Sequence, residues 1–246
     1  MTHTTTHSDV IEKASAAEED GAVDGRRLLE KNSLWEAAGK FFGYPTPWIL
    51  GAAALTGWIG RVWLGGWSLW DLAVAGAILL FWPLQEWLIH VFILHSRPVE
   101  VFGRRFDLHT AKKHRRHHAK PWRIDIMFVP LRAVLVALPI AAALWFWVAP
   151  SLELGFMGLA VYTSLSLTYE WTHYLVHTNY KPQTRFYRRL WKNHRLHHFK
   201  NEKFWYGVSM LSGDRILGTA PDFKEVETSD TCRNLGVLDD ADADGA

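Results

Sequence analysis

Thirteen histidines stand among the 246 residues, and ten of them fall into four short clusters. These read HVFILH (His90, His95), HRRHH (His114, His117, His118), HYLVH (His173, His177) and HRLHH (His194, His197, His198). Neutral imidazole is a good ligand for iron, zinc, copper or nickel. One ion takes roughly three to six ligands, so ten rings exceed one site and suit two ions. Carboxylate di-iron bundles place a Glu-x-x-His pair on each of two helices. Here that pair occurs only as Glu170 and His173. An all-nitrogen dinuclear centre is therefore the better fit. Glu86, Asp125, Glu170 and Asp214 are candidate partners for the outer ring N–H groups, which orient metal-bound imidazoles.

The spacings place these rings on helices. Residues three and four apart share a helical face. H-x-x-H-H should thus turn three imidazoles to one side, and the HYLVH pair should converge in the same way. His90 and His95 are five apart, about 140° around a regular helix. They can meet only if the helix ends or distorts between them, and Ser96-Arg97-Pro98 predicts an end. His109 fits no repeated spacing and reads as a loop residue or a supporting one. A lone H-x-x-H-H among arginines also describes a basic surface patch for lipid headgroups or nucleic acid. Two such motifs and two helical pairs together favour metal.

The clusters adjoin four apolar segments: Pro47–Leu64, Leu72–Ile89, Ala133–Ala149 and Leu154–Tyr169. A membrane-crossing helix needs roughly 17–25 such residues. Arg61 interrupts the first segment and is expected to snorkel to the surface; Pro83 should kink the second. Short connectors join the first segment to the second and the third to the fourth. The stretch 96–125 carries nine bases against three acids, and 178–224 carries ten bases. The excess of bases on cytoplasmic loops then puts both termini and every histidine cluster on the cytoplasmic side. The expected fold is all-α: a membrane-embedded four-helix transmembrane bundle of two helical hairpins, with a cytosolic helical histidine-rich cap.

Composition agrees once it is resolved along the chain. The net charge of +2 hides 22 bases against 11 acids in residues 34–224. Residues 1–33 form a polar tail with no signal-peptide pattern, and 225–246 an acidic tail; both read as disordered. His3 and His7 in the first tail read as solvated. Fourteen tryptophans suit membrane interfaces, and Tyr169, Trp171, Tyr174, Trp191, Trp205 and Tyr206 read as such anchors. A single cysteine, Cys232, excludes an intrachain disulfide and a thiolate metal cage.

The ordered set HVFILH, HRRHH, HYLVH and HRLHH between two hydrophobic hairpins resembles the fatty acid hydroxylase and sterol desaturase superfamily of membrane enzymes, over roughly residues 75–220. The pair His173/His177 before HRLHH, then a segment ending GDRILGT, resembles its fatty acid 2-hydroxylase branch. The resemblance implies that all ten clustered histidines bind two metal ions, most simply iron, with zinc as an ion a purified protein can carry. It implies O2 as oxidant and a lipid acyl chain as substrate. Members of that branch often carry a fused b-type cytochrome, and 33 residues are too few for one. The electrons are thus expected from a separate ferredoxin- or cytochrome-type donor with its reductase. No nucleic-acid partner is expected. Two alternatives stand beside this reading. One is a desaturase or a sterol or carotenoid hydroxylase of the same superfamily. The other is a histidine-rich metal transporter or sensor, although transporters place ionisable ligands near mid-bilayer rather than at one end.

Overall fold

The computed structural model describes residues 33–237. The tail 1–32, with His3 and His7, and residues 238–246 lie outside them. The described chain is mostly helical. Helix α1 spans Leu34–Phe41, α2 Pro45–Leu64 and α3 Leu69–Ile89. A π-helical turn, His90–Leu94, continues α3. A small hairpin follows, β1 (Val99–Val101) with β2 (Arg104–Phe106), antiparallel with Val99 opposite Phe106. Then come α4 (His109–Ala119), α5 (Ile124–Met127), α6 (Leu131–Val148), α7 (Leu152–Val176), α8 (Arg185–Phe199) and α9 (Ser212–Ile216). The hairpin is the one element that an all-α expectation lacks. Its turn residues Phe102 and Gly103 both take positive φ, as a two-residue hairpin with matching twist requires.

Local chemistry sets the helix ends. Proline opens α2, where a missing N–H costs nothing, and Gly65 closes it at φ 62°. Ser68 and Asp71 form a capping box that starts α3. Arg61 does not snorkel. Its Nε donates to Asp71 Oδ1 at 2.5 Å, its Nη2 to Asp71 Oδ2 at 2.8 Å, and its Nη1 to the Gly65 carbonyl at 2.5 Å. Trp67 stacks on the guanidinium. The charge is paired inside the α2–α3 turn, which removes the reason to reach for water.

Helix α7 is the central element and packs against α2, α3 and α6. Small residues permit the approach. A Cβ on Gly57 of α2 would stand 2.6 Å from the Ala160 backbone nitrogen of α7. Gly155 and Gly158 receive the rings of Phe146 and Trp145 from α6. At the far end of α7, Phe41, Ile124, Met127, Phe128, Tyr174 and Leu175 form a compact core under α1 and α5.

Among the described residues, two stretches are long and apolar enough to cross a membrane, Leu69–Leu94 and Ile124–Val148. Of an apolar run of 18 residues in each, only 28% and 22% is buried in the protein, whereas a core helix of a soluble domain is mostly buried. Leu80, Trp147, Leu72 and Ile140 on these helices all face outward. The other two expected spans, α2 and α7, are less apolar, for a physical reason. Arg61, threonines and glycines dilute α2, and α7 spends its polar residues inside the protein, where Thr163 and Glu170 are buried.

The stretch after residue 224 departs from the expected disorder. Residues 225–237 form a strap that returns across α4 and α8. Ser229 N–H donates to the Lys200 carbonyl at 2.7 Å, Thr231 Oγ1 to Glu202 Oε1 at 2.6 Å, and Arg233 Nη2 to the Ala119 carbonyl at 2.9 Å. Val226, Cys232 and Leu235 are buried beneath it. The acid-rich composition hid three apolar anchors.

Candidate metal centre

The ten clustered histidines converge into two groups of five. His90, His95, His114, His118 and His197 form one; His117, His173, His177, His194 and His198 form the other. Within each group the ligand atoms lie within 4.8 Å of one another. In the first, Nε2 of His114 lies 3.1 Å from that of His90 and 3.2 Å from that of His118; His95 and His197 meet at 3.2 Å. In the second, His117 meets His173 and His177 at 3.1 Å each. His194 meets His177 at 2.9 Å and His198 at 3.0 Å.

The two H-x-x-H-H motifs do not turn all three rings to one side. On α4, His114 and His118 enter the first group while His117 enters the second. On α8 the assignment is reversed: His194 and His198 enter the second group and His197 the first. An i, i+4 pair lies about 40° apart around a helix, whereas i+3 lies on the other side of i. Two centres placed side by side use that angular difference. Each of the two helices thereby contributes to both groups.

The helix does not end between His90 and His95; it widens. The π-helical turn carries a His95 N–H to His90 carbonyl bond of 3.0 Å, spanning five residues. That winding brings positions five apart onto one side, with ring centroids 4.9 Å apart.

Burial keeps the rings neutral. It holds His114, His117, His177, His194, His197 and His198 well below the usual imidazole range, with neighbouring rings pushing the same way. His118 is pushed down to about 3, again mainly by burial. Nine of the ten rings are buried, and His95 alone is partly exposed.

Three outer nitrogens face backbone carbonyls: His90 Nδ1 to Tyr206 at 2.7 Å, His197 Nδ1 to Phe204 at 2.8 Å, and His118 Nδ1 to Cys232 at 2.9 Å. A carbonyl only accepts, so each Nδ1 carries the hydrogen and each Nε2 turns a lone pair inward. His114 Nε2 then faces the lone pairs of His90 and His118 with at most one hydrogen to give. A cation satisfies that arrangement where hydrogen bonds cannot, so the donor set fits a metal. In the second group, Nδ1 of His117, His177, His194 and His198 is buried with no protein partner among the described residues.

None of the four carboxylates shows a hydrogen bond to the rings; Glu86 and Asp214 act one step further out. Glu86 accepts from Val208 N–H, from Ser209 N–H at 2.7 Å and from Ser209 Oγ at 2.7 Å. Asp214 accepts from Tyr206 N–H at 2.9 Å, Gly207 N–H at 2.7 Å and Thr219 Oγ1 at 2.7 Å. Together they pin loop 204–209, whose carbonyls face His90 and His197. Glu170 accepts from Val129 N–H at 2.9 Å and fixes the link into α6. Asp125 is spent on an exposed pair with Arg123. His109 is exposed and outside both groups. The carbonyls of Phe204, Tyr206 and Cys232 leave no side-chain signature in sequence. Trp205, Tyr174 and Tyr206 are buried in the protein rather than serving as interfacial anchors.

Residues 75–219, which hold all ten of these histidines, match the family described as fatty acid hydroxylase. The chain belongs to the fatty acid hydroxylase family. It is similar to a dihydroceramide fatty acyl 2-hydroxylase of Arabidopsis thaliana, 26% identical over 148 residues, covering 59% of this chain and 59% of that one. It is also similar to a fatty acid 2-hydroxylase of Rattus norvegicus, 28% identical over 147 residues, covering 57% of this chain and 37% of the relative. The match thus spans a little over half of one relative and about a third of the other. The resemblance to the 2-hydroxylase branch is borne out. The fold is like that of full-length scs7p, of which only the hydroxylase domain is visible. The TM-score is 0.56 at 21% identity, covering 82% of this chain and 71% of that one.

Proposed function

We propose that this chain is a membrane lipid hydroxylase of the fatty acid 2-hydroxylase type. The single observation that carries the reading is the pair of five-imidazole groups at the ends of α3 and α7, inside a family whose curated relatives are named 2-hydroxylases. All ten histidines are the proposed ligands, His90, His95, His114, His118 and His197 for one ion and His117, His173, His177, His194 and His198 for the other. Two bound irons would supply O2 activation and cleavage of an unactivated C–H bond. One oxygen atom would enter the product and the other leave as water, with two electrons from a separate ferredoxin- or cytochrome-type donor and two protons from solvent.

The chain's own residues supply placement and dryness. Neutral rings bind without first losing protons. Loop 204–209 and the strap fix the ring planes. Burial of nine rings excludes water. The first group opens only at His95, next to Phe92 and Ile93, which are exposed on the apolar π-helical turn. An acyl chain approaching from lipid meets the centre there. The wider placement belongs to the same proposal. Helices α2, α3, α6 and α7 form two membrane hairpins, with the histidine-rich cap and both ends of domain 34–224 on the cytoplasmic side.

The test is lipid mass spectrometry of cells with and without the chain, under oxygen with iron. The expected product carries one added oxygen. A loss of two hydrogens would instead indicate a desaturase, and metal flux into sealed vesicles without lipid oxidation a transporter. His197→Ala and His118→Ala should abolish the product and lower metal content while the protein stays in the membrane fraction. Near-normal turnover in both would remove these residues from the centre.

A further inference from the structure

Helix α4 has two chemically distinct faces. His114, His117 and His118 turn inward to the metal centre. His109, Lys112, Lys113 and Arg116 recur at i, i+3, i+4 and i+7, one continuous stripe on another side. That stripe lines a cleft of about 490 Å³ whose remaining wall is Ile126, Pro130, Leu131 and Arg132. Two lysines and two arginines line it, and among the described residues no carboxylate does. Glu170 and Asp125 act on Lys113 from outside the cleft, while Asp125 also pairs with Arg123 and Glu170 accepts from Val129. The wall is the start of an apolar stretch long enough to cross a membrane. From Leu131 an outward apolar stripe runs up α6 through Leu135, Val136 and Ile140, each exposed. A cationic bowl therefore sits at the foot of a lipid-facing helix.

We infer that this cleft binds the phosphate headgroup of an anionic membrane phospholipid, with its chains laid along Leu131, Leu135 and Ile140. The cations match a phosphodiester; the stripe above them matches an acyl chain and gives a lipid contacts that a soluble phosphate lacks. Lys112 and Arg132 clamp the headgroup from the two walls. The site is separate from the proposed oxidation chemistry, and its occupant is a structural or regulatory lipid rather than the chain being oxidised.

Native mass spectrometry of the full chain released from detergent, with phosphatidylglycerol or phosphatidylcholine added, tests this. Wild type should retain phosphatidylglycerol selectively. The double variant K112Q/R132Q should bind it about thirtyfold more weakly, with metal content unchanged. Neither residue belongs to the centre, so retained metal shows that the variant is folded. Should it lose metal, the single variants K112Q and R132Q are measured in its place, each expected to weaken retention about fivefold. Equal retention of the two lipids by wild type would overturn the inference. So would unchanged phosphatidylglycerol binding in folded variants, or glycerol phosphate binding as tightly as the lipid. None of these outcomes depends on whether the chain hydroxylates.

Discussion

At the scale of single residues, the centre depends on groups that are not themselves ligands. Asp214 holds two successive N–H groups, of Tyr206 and Gly207, and so aims the Tyr206 carbonyl at His90. Asp214→Asn replaces one accepting oxygen by a donor that faces another donor. Supports of this kind are worth about 10–100-fold in metal affinity. Calorimetric metal titration should show a loss of that size for the first ion and little change for the second. Cys232 gives a sharper contrast, because its carbonyl serves His118 while its thiol donates to the Ser229 carbonyl. Cys232→Ser should therefore keep metal affinity within about twofold. Truncation before Ser229 removes the carbonyl itself and should weaken the first ion.

At the scale of elements, the π-helical turn carries the largest consequence. It adds one residue to the winding between His90 and His95. Phe92 sits on that turn with its side chain outward. Deleting it would restore regular winding with the two histidines four apart, about 40° around the helix, so they still share one side. The expected outcome is a chain that still reaches the membrane and still binds close to two ions. Metal analysis of the purified variant reads this directly, and a fall to one ion per chain would contradict it. Helices α4 and α8 show the same logic in a regular helix. Their i+3 histidines cross to the other group, so neither group can form from one helix alone.

For the whole molecule, gathering ten rings in a dry interior makes the metal-free state sensitive to acid. His118 has a pKa of about 3 when folded against an ordinary 6.5. Between those values the unfolded chain binds the proton and the folded chain does not. Stability is complete above 6.5 and is lost as pH falls below it. The other buried rings shift in the same direction. The chelator-stripped protein in detergent should thus lose thermal stability steeply between pH 6.5 and about 4, by about 1.4 kcal/mol per pH unit for each ring that would protonate. The metal-loaded protein should hold its Tm until protons displace the ions. A flat Tm for the stripped protein across that range would mean that its rings are hydrated.

Much of this was legible in the residues themselves. Histidine type and spacing named the ten rings that converge, because a helix turns fixed sequence intervals into fixed angles. The apolar runs located the helices, and the segregation of charge along the chain marked where those helices stop. Four features could not be read this way. Splitting each H-x-x-H-H between two groups depends on where a second helix lies. The widened turn at His90 is decided by the rings it must bring together, against the stop that Ser96-Arg97-Pro98 suggested. The carbonyls on the outer nitrogens are backbone atoms that every residue carries. The strap over the centre is held by three buried apolar side chains in a stretch whose composition is dominated by acids. Sequence sets which groups are available and their angular spacing along one helix. Distances between helices, and therefore which atom ends up beside which, arise only when the elements pack.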